Sequence, residues 1–358
     1  MSAPAAAPAL DLGAIRAHVD TILTAFLDAK ARTAAEQRLP EDIPAALRGF
    51  LLAGGKRLRP VLCVVGWHAA GGQGTDASVT RTAAALEMFH AFALIHDDIM
   101  DRSASRRGQP TVHRALAGHY QHAGEDRAWL GVSAAILAGD MALAWSDELL
   151  HTAGHSYGRL AELHKVLDAM REEVIYGQHL DLTAGLTSVC DADTALKVIR
   201  YKTATYTFQR PLHAGAVLAG AGDTLLEGLS RFALPLGEAF QLRDDLLGVY
   251  GNPHQTGKPA TDDLREGKHT LLLALARQRG TPAQRDILHQ LVGNPHLNQD
   301  EAARIRDVLD ATGARTTVED IISARCRQAL TALTHLPCPQ PALDALRHIA
   351  ELATERTS

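Results

Sequence analysis

The sequence predicts an all-α protein, and three observations predict it. Apolar residues recur with helical spacing through nearly every segment, and good helix formers dominate. Alternating β-branched runs of the kind that make strands are scarce. Gly and Pro fall where they stop one helix and admit the next: Gly54-Gly55, Gly71-Gly72-Gln73-Gly74, Gly108-Gln109-Pro110, residues 118–126 and 220–223, Gly251-Asn252-Pro253, Gly280-Thr281-Pro282 and Gly293-Asn294-Pro295. None of these breaks is long enough for an interdomain linker, and no fixed-period repeat occurs. Residues 1–358 are therefore expected to form a single domain, with the Ala/Pro-rich first ten residues disordered.

Composition excludes several classes. With 46% hydrophobic and 22% charged residues, the 358-residue chain has ample material for a core and is neither disordered nor fibrous. Its 36 Lys and Arg against 41 Asp and Glu give a net charge of -5, without the basic excess that holds a nucleic-acid backbone, so no nucleic-acid partner is expected. Cys63, Cys190, Cys326 and Cys338 are far apart and form no CxxC pair, which fits a reducing compartment. The N-terminus has no basic stretch leading into a long apolar one, and no uncharged apolar run reaches about 18 residues. The expectation is a cytoplasmic protein with no membrane span.

In chain order, the first informative element is Gly54-Gly55-Lys56-Arg57-Leu58-Arg59-Pro60, a Gly-rich turn entering a helix with Pro60 near its first position. Three cations and free backbone N–H groups at the positive end of a helix dipole make an anion site. A lone Gly-Gly-Lys is a weak signal, and a single basic residue is more often a surface charge. Residues 81–101 come next, apolar almost all the way round with Leu86, Met88, Phe89, Phe92, Leu94, Ile95 and Ile99, as befits the centre of a large bundle. That helix finishes in Asp97, Asp98 and Asp101, and the i, i+4 spacing puts Asp97 and Asp101 on one face. Arg106-Arg107-Gly108 follows directly. Residues 229–250 repeat the design with Phe232, Leu236, Phe240, Leu242 and Leu246 around Asp244-Asp245, and Lys258 and Lys268 bracket the loop beyond.

Carboxylates at the negative end of a helix dipole are unfavourable unless a cation joins them. Oxygen-only ligands suit a hard divalent cation, and Mg²⁺ is usually held by one or two carboxylates plus the oxygens of a substrate phosphate. A solvated acidic helix end is the ordinary reading of one Asp pair, and its repetition on a second apolar helix weighs against that. Carboxylates for metal and Lys or Arg for phosphate oxygens, all on apolar helices, imply a deep apolar cavity with a diphosphate-binding mouth. Neither a Walker pattern nor GxGxxG after a strand is present, which disfavours a nucleotide. His96-Asp97 also fits the metal pair of an HD-type phosphohydrolase. The rest of the cluster is carboxylate only, so His96 is expected to pack or hydrogen-bond on its helix face. Trp67, Trp129 and Trp145 are expected as core or interface anchors.

Together these residues resemble the trans-prenyl diphosphate synthases, or polyprenyl synthetases. The resemblance rests on Gly-Gly-Lys-Arg-Leu-Arg-Pro at 54–60, His-Asp-Asp-Ile-Met-Asp at 96–101 with Arg106-Arg107-Gly108, Gly177-Gln178 through Asp181, Tyr201-Lys202-Thr203, Gln241 through Asp245, and Thr256-Gly257-Lys258 through Lys268. These occur in the family's order. The resemblance implies an orthogonal helical bundle of the isoprenoid synthase type, a homodimer, and head-to-tail condensation of isopentenyl diphosphate onto an allylic prenyl diphosphate. It implies about three Mg²⁺ per active site, with Mn²⁺ as a substitute. By the same resemblance Asp97, Asp98 and Asp101 are the first metal motif, and Asp244 and Asp245 the second. Arg106, Lys202 and Lys258, with Lys268 beside them, match the allylic diphosphate binders. Lys56, Arg59, His90 and Arg107 match the isopentenyl diphosphate pocket. Lys202, Thr203 and Gln241 fall where the family stabilises the allylic cation, and Gln178 and Asp181 line the reaction centre. The nucleophile is then the substrate C=C, and no protein nucleophile is needed.

Gly248 stands where the family's second motif usually has a third Asp, so that ligand is lost or supplied from elsewhere, with Asp262 and Asp263 as candidates. Ala93 lies four residues before Asp97, one turn deeper by about 6 Å, flanked by Phe89 and Phe92. In the resembling family bulky residues here form the floor that stops the growing chain. Ala93 opens that floor and Phe92 still limits it, which predicts geranylgeranyl diphosphate as product. The competing view keeps Phe89 and Phe92 as ordinary core and puts the floor on another helix, giving farnesyl or longer products. Two rival functions remain: a terpene cyclase, which has no use for a second diphosphate pocket, and a non-catalytic partner subunit of a synthase, which Gly248 favours slightly and the intact first acid motif does not.

Overall fold

The structure, a computed structural model, describes residues 9–184, 191–251 and 261–354. It is all-α, as expected. The helices are α1 Leu12–Glu36, α2 Asp42–Leu52, α3 Leu58–Ala69, α4 Ala77–Met100, α5 Val112–His119, α6 Arg127–His151, α7 Tyr157–Ala184, α8 Ala192–Val198, α9 Arg210–Ala219, α10 Asp223–Tyr250, α11 Asp262–Glu266, α12 Leu271–Arg279, α13 Pro282–Leu291, α14 Gln299–Ala311, α15 Ala314–Leu333 and α16 Gln340–Thr354. The first eight residues, Cys190 and Lys258 lie outside the described residues.

Two compact units make up the chain, one from residues 9–162 with 215–220, the other from 163–214 with 221–358. In the first unit α4 packs against α1, α3 and α6, and α5 packs against α6. The Asp76 side chain caps α4 by accepting from the Ser78 and Val79 N–H groups, satisfying two donors that the first turn leaves open. Residues 82–89 of α4 are all buried, so this helix has no wet face through its middle. Through its first two thirds the buried side of α6 is Gly131, Ala134, Ala135, Ala138, Gly139 and Ala142, small residues that let a neighbouring backbone come close; Trp145, Leu149 and Leu150 follow. By length and composition the helical run His122–His151 would suffice to cross a membrane; one side of it packs on α4 and α5, and the other carries exposed apolar residues. Trp67 and Trp145 are buried, whereas Trp129 is exposed.

In the second unit α10 packs against α15 and against the turn of chain ahead of α9. Leu242, Leu246, Val249, Leu264, Leu271, Leu275, Ile305, Leu309 and Ile322 share one buried cluster there. α10 continues past Pro235, which removes one backbone donor from the helix interior. Capping boxes at Thr281 and Asn298 start α13 and α14.

Three local features differ from the expectation. The helix after the Gly-rich turn begins at Leu58, so Pro60 is its third residue, still within the first turn where its missing N–H costs nothing. A two-stranded hairpin, β1 Ser105–Arg106 and β2 Gln109–Pro110, interrupts the helices. Its two-residue turn is Arg107-Gly108, both with positive φ, the geometry that suits the twist of a tight hairpin. Residues Ile199–Gln209 form a π-helical stretch, a wide winding that is rare and concentrates at functional sites.

Candidate active site

In the first unit α4 delivers Asp97, Asp98 and Asp101 at its C-terminal end, with Asp101 as the C-cap. Asp98 is buried, only 1% exposed. The hairpin that follows brings Arg106 back over the acids: its Nε donates to both Asp98 oxygens at 2.9 Å, and Nη2 donates to Asp97 Oδ2 at 3.2 Å. Burial alone would lower the Arg106 pKa, but the Asp98 bonds outweigh it and raise it, so the guanidinium stays charged. The neighbouring arginine goes elsewhere. Arg107 donates to the Gly54 carbonyl and lies against Gly55. Because one arginine ends a strand and the next opens the turn, the two adjacent side chains reach two separate groups of residues.

The second of these groups surrounds His90, ten residues before Met100 on α4. Burial, then the Arg59, Arg106, Arg107 and Arg57 guanidiniums, push the imidazole well below its ordinary range, so it is neutral at physiological pH. Lys56 is exposed and Arg59 half-buried at the start of α3. Sequence reasoning counted three cations in the 54–60 turn, and the structure corrects that. Arg57, with φ 48°, turns inward: it is 4% exposed and donates to Asp20 Oδ1 at 2.8 Å, Glu87 Oε1 at 2.7 Å and the Leu51 carbonyl. It braces the turn against α1 and α4, so the exposed cation of the turn is Lys56, with Arg59 half-buried.

His96 packs and hydrogen-bonds on its helix face. Its Nε2 lies 3.2 Å from the Ile136 carbonyl and its ring stacks edgewise on Phe92 at 4.8 Å, as expected of a packing residue. Phe92 also meets Phe89 at 5.2 Å. Phe89 is buried, while Ala93 is partly exposed on the face of Asp97.

In the second unit the π-helical stretch carries Lys202 and Thr203. It fits between two glycines whose missing side chains make room: a Cβ on Gly177 would fall 2.5 Å from the Lys202 nitrogen, and one on Gly237 would fall 2.5 Å from Ala204 Cα. Lys202 Nζ donates to Asp181 Oδ2 at 2.6 Å, and Gln178 sits one residue after the Gly177 contact. Thr203 Oγ1 donates to Gln241 Oε1 at 2.7 Å, and Gln241 Nε2 donates to Asp245 Oδ1 at 2.9 Å. This chain of bonds fixes the orientation of the amide. Lys268 Nζ lies 3.4 Å from Asp263 Oδ1. Sequence reasoning missed the π winding, the Asp181 partner of Lys202 and the Gln241 bridge; no pattern of residue types signals any of them, although the two glycines were visible.

The donors fit magnesium. Asp245 is 8% exposed. Burial, with Asp263 and Asp244 nearby and against the opposing Gln241 bond, lifts its carboxyl to about 7; a hard cation held at those oxygens would remove that penalty. Among the described residues no three His, Cys, Asp or Glu are gathered into a group that could by itself hold a metal ion.

Residues 41–309 match the family model described as polyprenyl synthetase. The chain is 34% identical over 301 residues to a geranylfarnesyl diphosphate synthase of Aeropyrum pernix, covering 83% of this chain and 89% of that one. It is 30% identical over 307 residues to a geranylgeranyl diphosphate synthase of Saccharolobus solfataricus, covering 85% and 87%. The crystal structure of a geranylgeranyl pyrophosphate synthase from Corynebacterium glutamicum, complexed with isoprenyl diphosphate and magnesium, superimposes with a TM-score of 0.92 at 43% identity, covering 97% of this chain and all of that one. A fold of packed helices, an acid group clasped by arginine beside a second basic group, and a match over three quarters of the sequence agree: the chain belongs to the polyprenyl synthetase family.

Proposed function

We propose that the protein is a short-chain trans-prenyl diphosphate synthase, a prenyltransferase that condenses isopentenyl diphosphate head to tail with an allylic diphosphate and releases geranylgeranyl diphosphate. The observation that carries the reading is the split of Arg106 and Arg107 toward two anion-binding groups in one unit. A reaction with one diphosphate needs one such group, and a condensation of two needs both. The family match runs through both compact units, which supports one catalytic domain over the whole chain.

Lys56, Arg59, Arg107 and neutral His90 hold isopentenyl diphosphate, while Arg106, Lys202, Lys258 and Lys268 serve the allylic diphosphate. Asp97, Asp98 and Asp101 would hold Mg²⁺ in the first unit, as would Asp244 and Asp245 in the second, with about three ions per active site. When bound, the metal offsets negative charge building on the departing pyrophosphate. The Lys202 backbone and Thr203, with the Gln241 oxygen oriented by its bond to Thr203, present dipoles to the allylic cation. Asp181 holds Lys202 in place and Gln178 lines the same centre. Apolar helices keep water from the carbocation.

Relatives whose names specify products of different lengths share this family, so local residues decide the length. The Phe92 ring is committed to Phe89 and His96, which leaves Ala93 as the small residue beneath Asp97 and supports the C20 product. An apolar stripe on α6, with Trp129, Leu137 and Met141 exposed, supports a homodimer. A cytoplasmic enzyme fits the substrates, which are soluble diphosphates.

The test is to incubate the protein with Mg²⁺, isopentenyl diphosphate and dimethylallyl, geranyl or farnesyl diphosphate in turn, and to separate the dephosphorylated products. A synthase yields geranylgeraniol and yields nothing once EDTA is added. Cyclised hydrocarbon would assign a cyclase, and no product with any primer would assign a partner subunit.

A further inference from the structure

We propose that Asp263 takes over the role of the third aspartate of the second metal motif, and that Gly248 is glycine because the Asp263 carboxylate occupies the space its side chain would need. The inference rests on the function proposed above. A Cβ built on Gly248 would fall onto Asp263 Oδ2, 2.7 Å from its Cγ and 3.3 Å from its Cβ. Any larger residue at 248 therefore displaces this carboxylate, and the carboxylate stands over the same helix face, one turn beyond Asp244 and Asp245. Lys268 Nζ lies 3.4 Å from Asp263 Oδ1.

The placement is held from below. Asp263 lies in α11, whose next residue, Leu264, is 1% exposed and belongs to the buried cluster with Leu242, Leu246 and Val249 of α10. The Leu264 carbonyl accepts from the Gly293 N–H at 2.8 Å, and Arg265 donates to the Leu297 carbonyl at 2.8 Å. A side chain anchored this way returns to one position, as a metal ligand must. Thr261, two residues earlier and with no exposed surface, has an Oγ1 that meets no hydrogen-bond partner among the described residues. A buried donor at the same turn is what a phosphate or metal-bound oxygen would use.

The test is a swap. Mg²⁺ binding is measured by calorimetry in the presence of inorganic pyrophosphate for the wild type, Asp263→Ala, Asp263→Asn, Gly248→Asp and the double variant Gly248→Asp with Asp263→Ala. Thermal midpoints without metal show which variants remain folded. The proposal expects Asp263→Ala and Asp263→Asn to weaken Mg²⁺ about tenfold or more, and the double variant to bind within about threefold of wild type because the carboxylate has been moved rather than lost. Wild-type affinity in both Asp263 variants overturns it, as does a folded double variant no better than Asp263→Ala. If Gly248→Asp does not fold, the Asp263→Asn comparison still decides, since that change keeps the shape. A wild type that binds neither Mg²⁺ nor pyrophosphate sinks the function itself. A wild type that binds both while Asp263 proves indifferent sinks only this assignment.

Discussion

Gly177→Ala is expected to disable the enzyme while leaving it folded. The added methyl would sit 2.5 Å from the Lys202 nitrogen and 2.9 Å from both Lys202 Cα and Tyr201 C, all backbone atoms that no rotamer change can move aside. Ordinary carbon contacts begin near 3.5 Å, so the π-helical stretch must retreat by roughly 1 Å relative to α7. Overpacking of this kind costs about 1–3 kcal/mol, and the better helix propensity of Ala returns about 1 kcal/mol, leaving a drop of a few degrees in the thermal midpoint. The same retreat carries Lys202 away from Asp181, which it now bonds at 2.6 Å, and shifts Thr203 against Gln241, which it now bonds at 2.7 Å. A misplacement of that size costs about 100-fold in kcat where positioning matters. Incorporation of labelled isopentenyl diphosphate into acid-labile product measures kcat, and a thermal melt of the same sample measures folding. Retention of kcat within about threefold would refute the claim that this backbone contact positions the reacting centre, and so would a loss of kcat in a protein that had unfolded.

Three further outcomes are expected. Ala93→Phe places an aromatic ring beneath Asp97 and should shorten the main product from geranylgeranyl to farnesyl diphosphate, read by chromatography of the dephosphorylated alcohols; an unchanged product puts the floor elsewhere. Arg57→Met leaves Glu87, 4% exposed, without its partner and should lower the unfolding free energy in urea by about 3–5 kcal/mol, with Arg57→Met/Glu87→Leu recovering much of it. His213 bonds to the Leu226 carbonyl and Ser230 Oγ, and burial, then the nearby Arg210, depress its pKa from 6.5 to about 4. The folded state thus refuses a proton that the unfolded chain accepts, so stability is full above pH 6.5 and declines as pH falls toward 4, by up to about 3 kcal/mol. Urea midpoints across that range should flatten in His213→Gln if His213 is the cause.

Much of this was legible in the residue order because the relevant physics is local. Helical spacing in residues 81–101 and 229–250, the i, i+4 pairing of Asp97 with Asp101, and glycine ahead of basic residues at a helix start are all short-range patterns. So is the departure at Gly248, visible as a missing carboxylate.

What only the tertiary structure decided is direction and partnership. Arg57 and Lys56 are neighbours in sequence, yet a left-handed backbone at residue 57 sends one inward to Glu87 and leaves the other exposed. Arg106 and Arg107 diverge because a hairpin turn falls between them. The π winding under Lys202 comes from packing between Gly177 and Gly237, which lie 60 positions apart on different helices. Asp263 reaches Gly248 only because Leu264 is buried against α10. Residue types state which charges and volumes a chain carries, but close approach of backbones distant in sequence, which sets where each side chain points, is a property of the packed core alone.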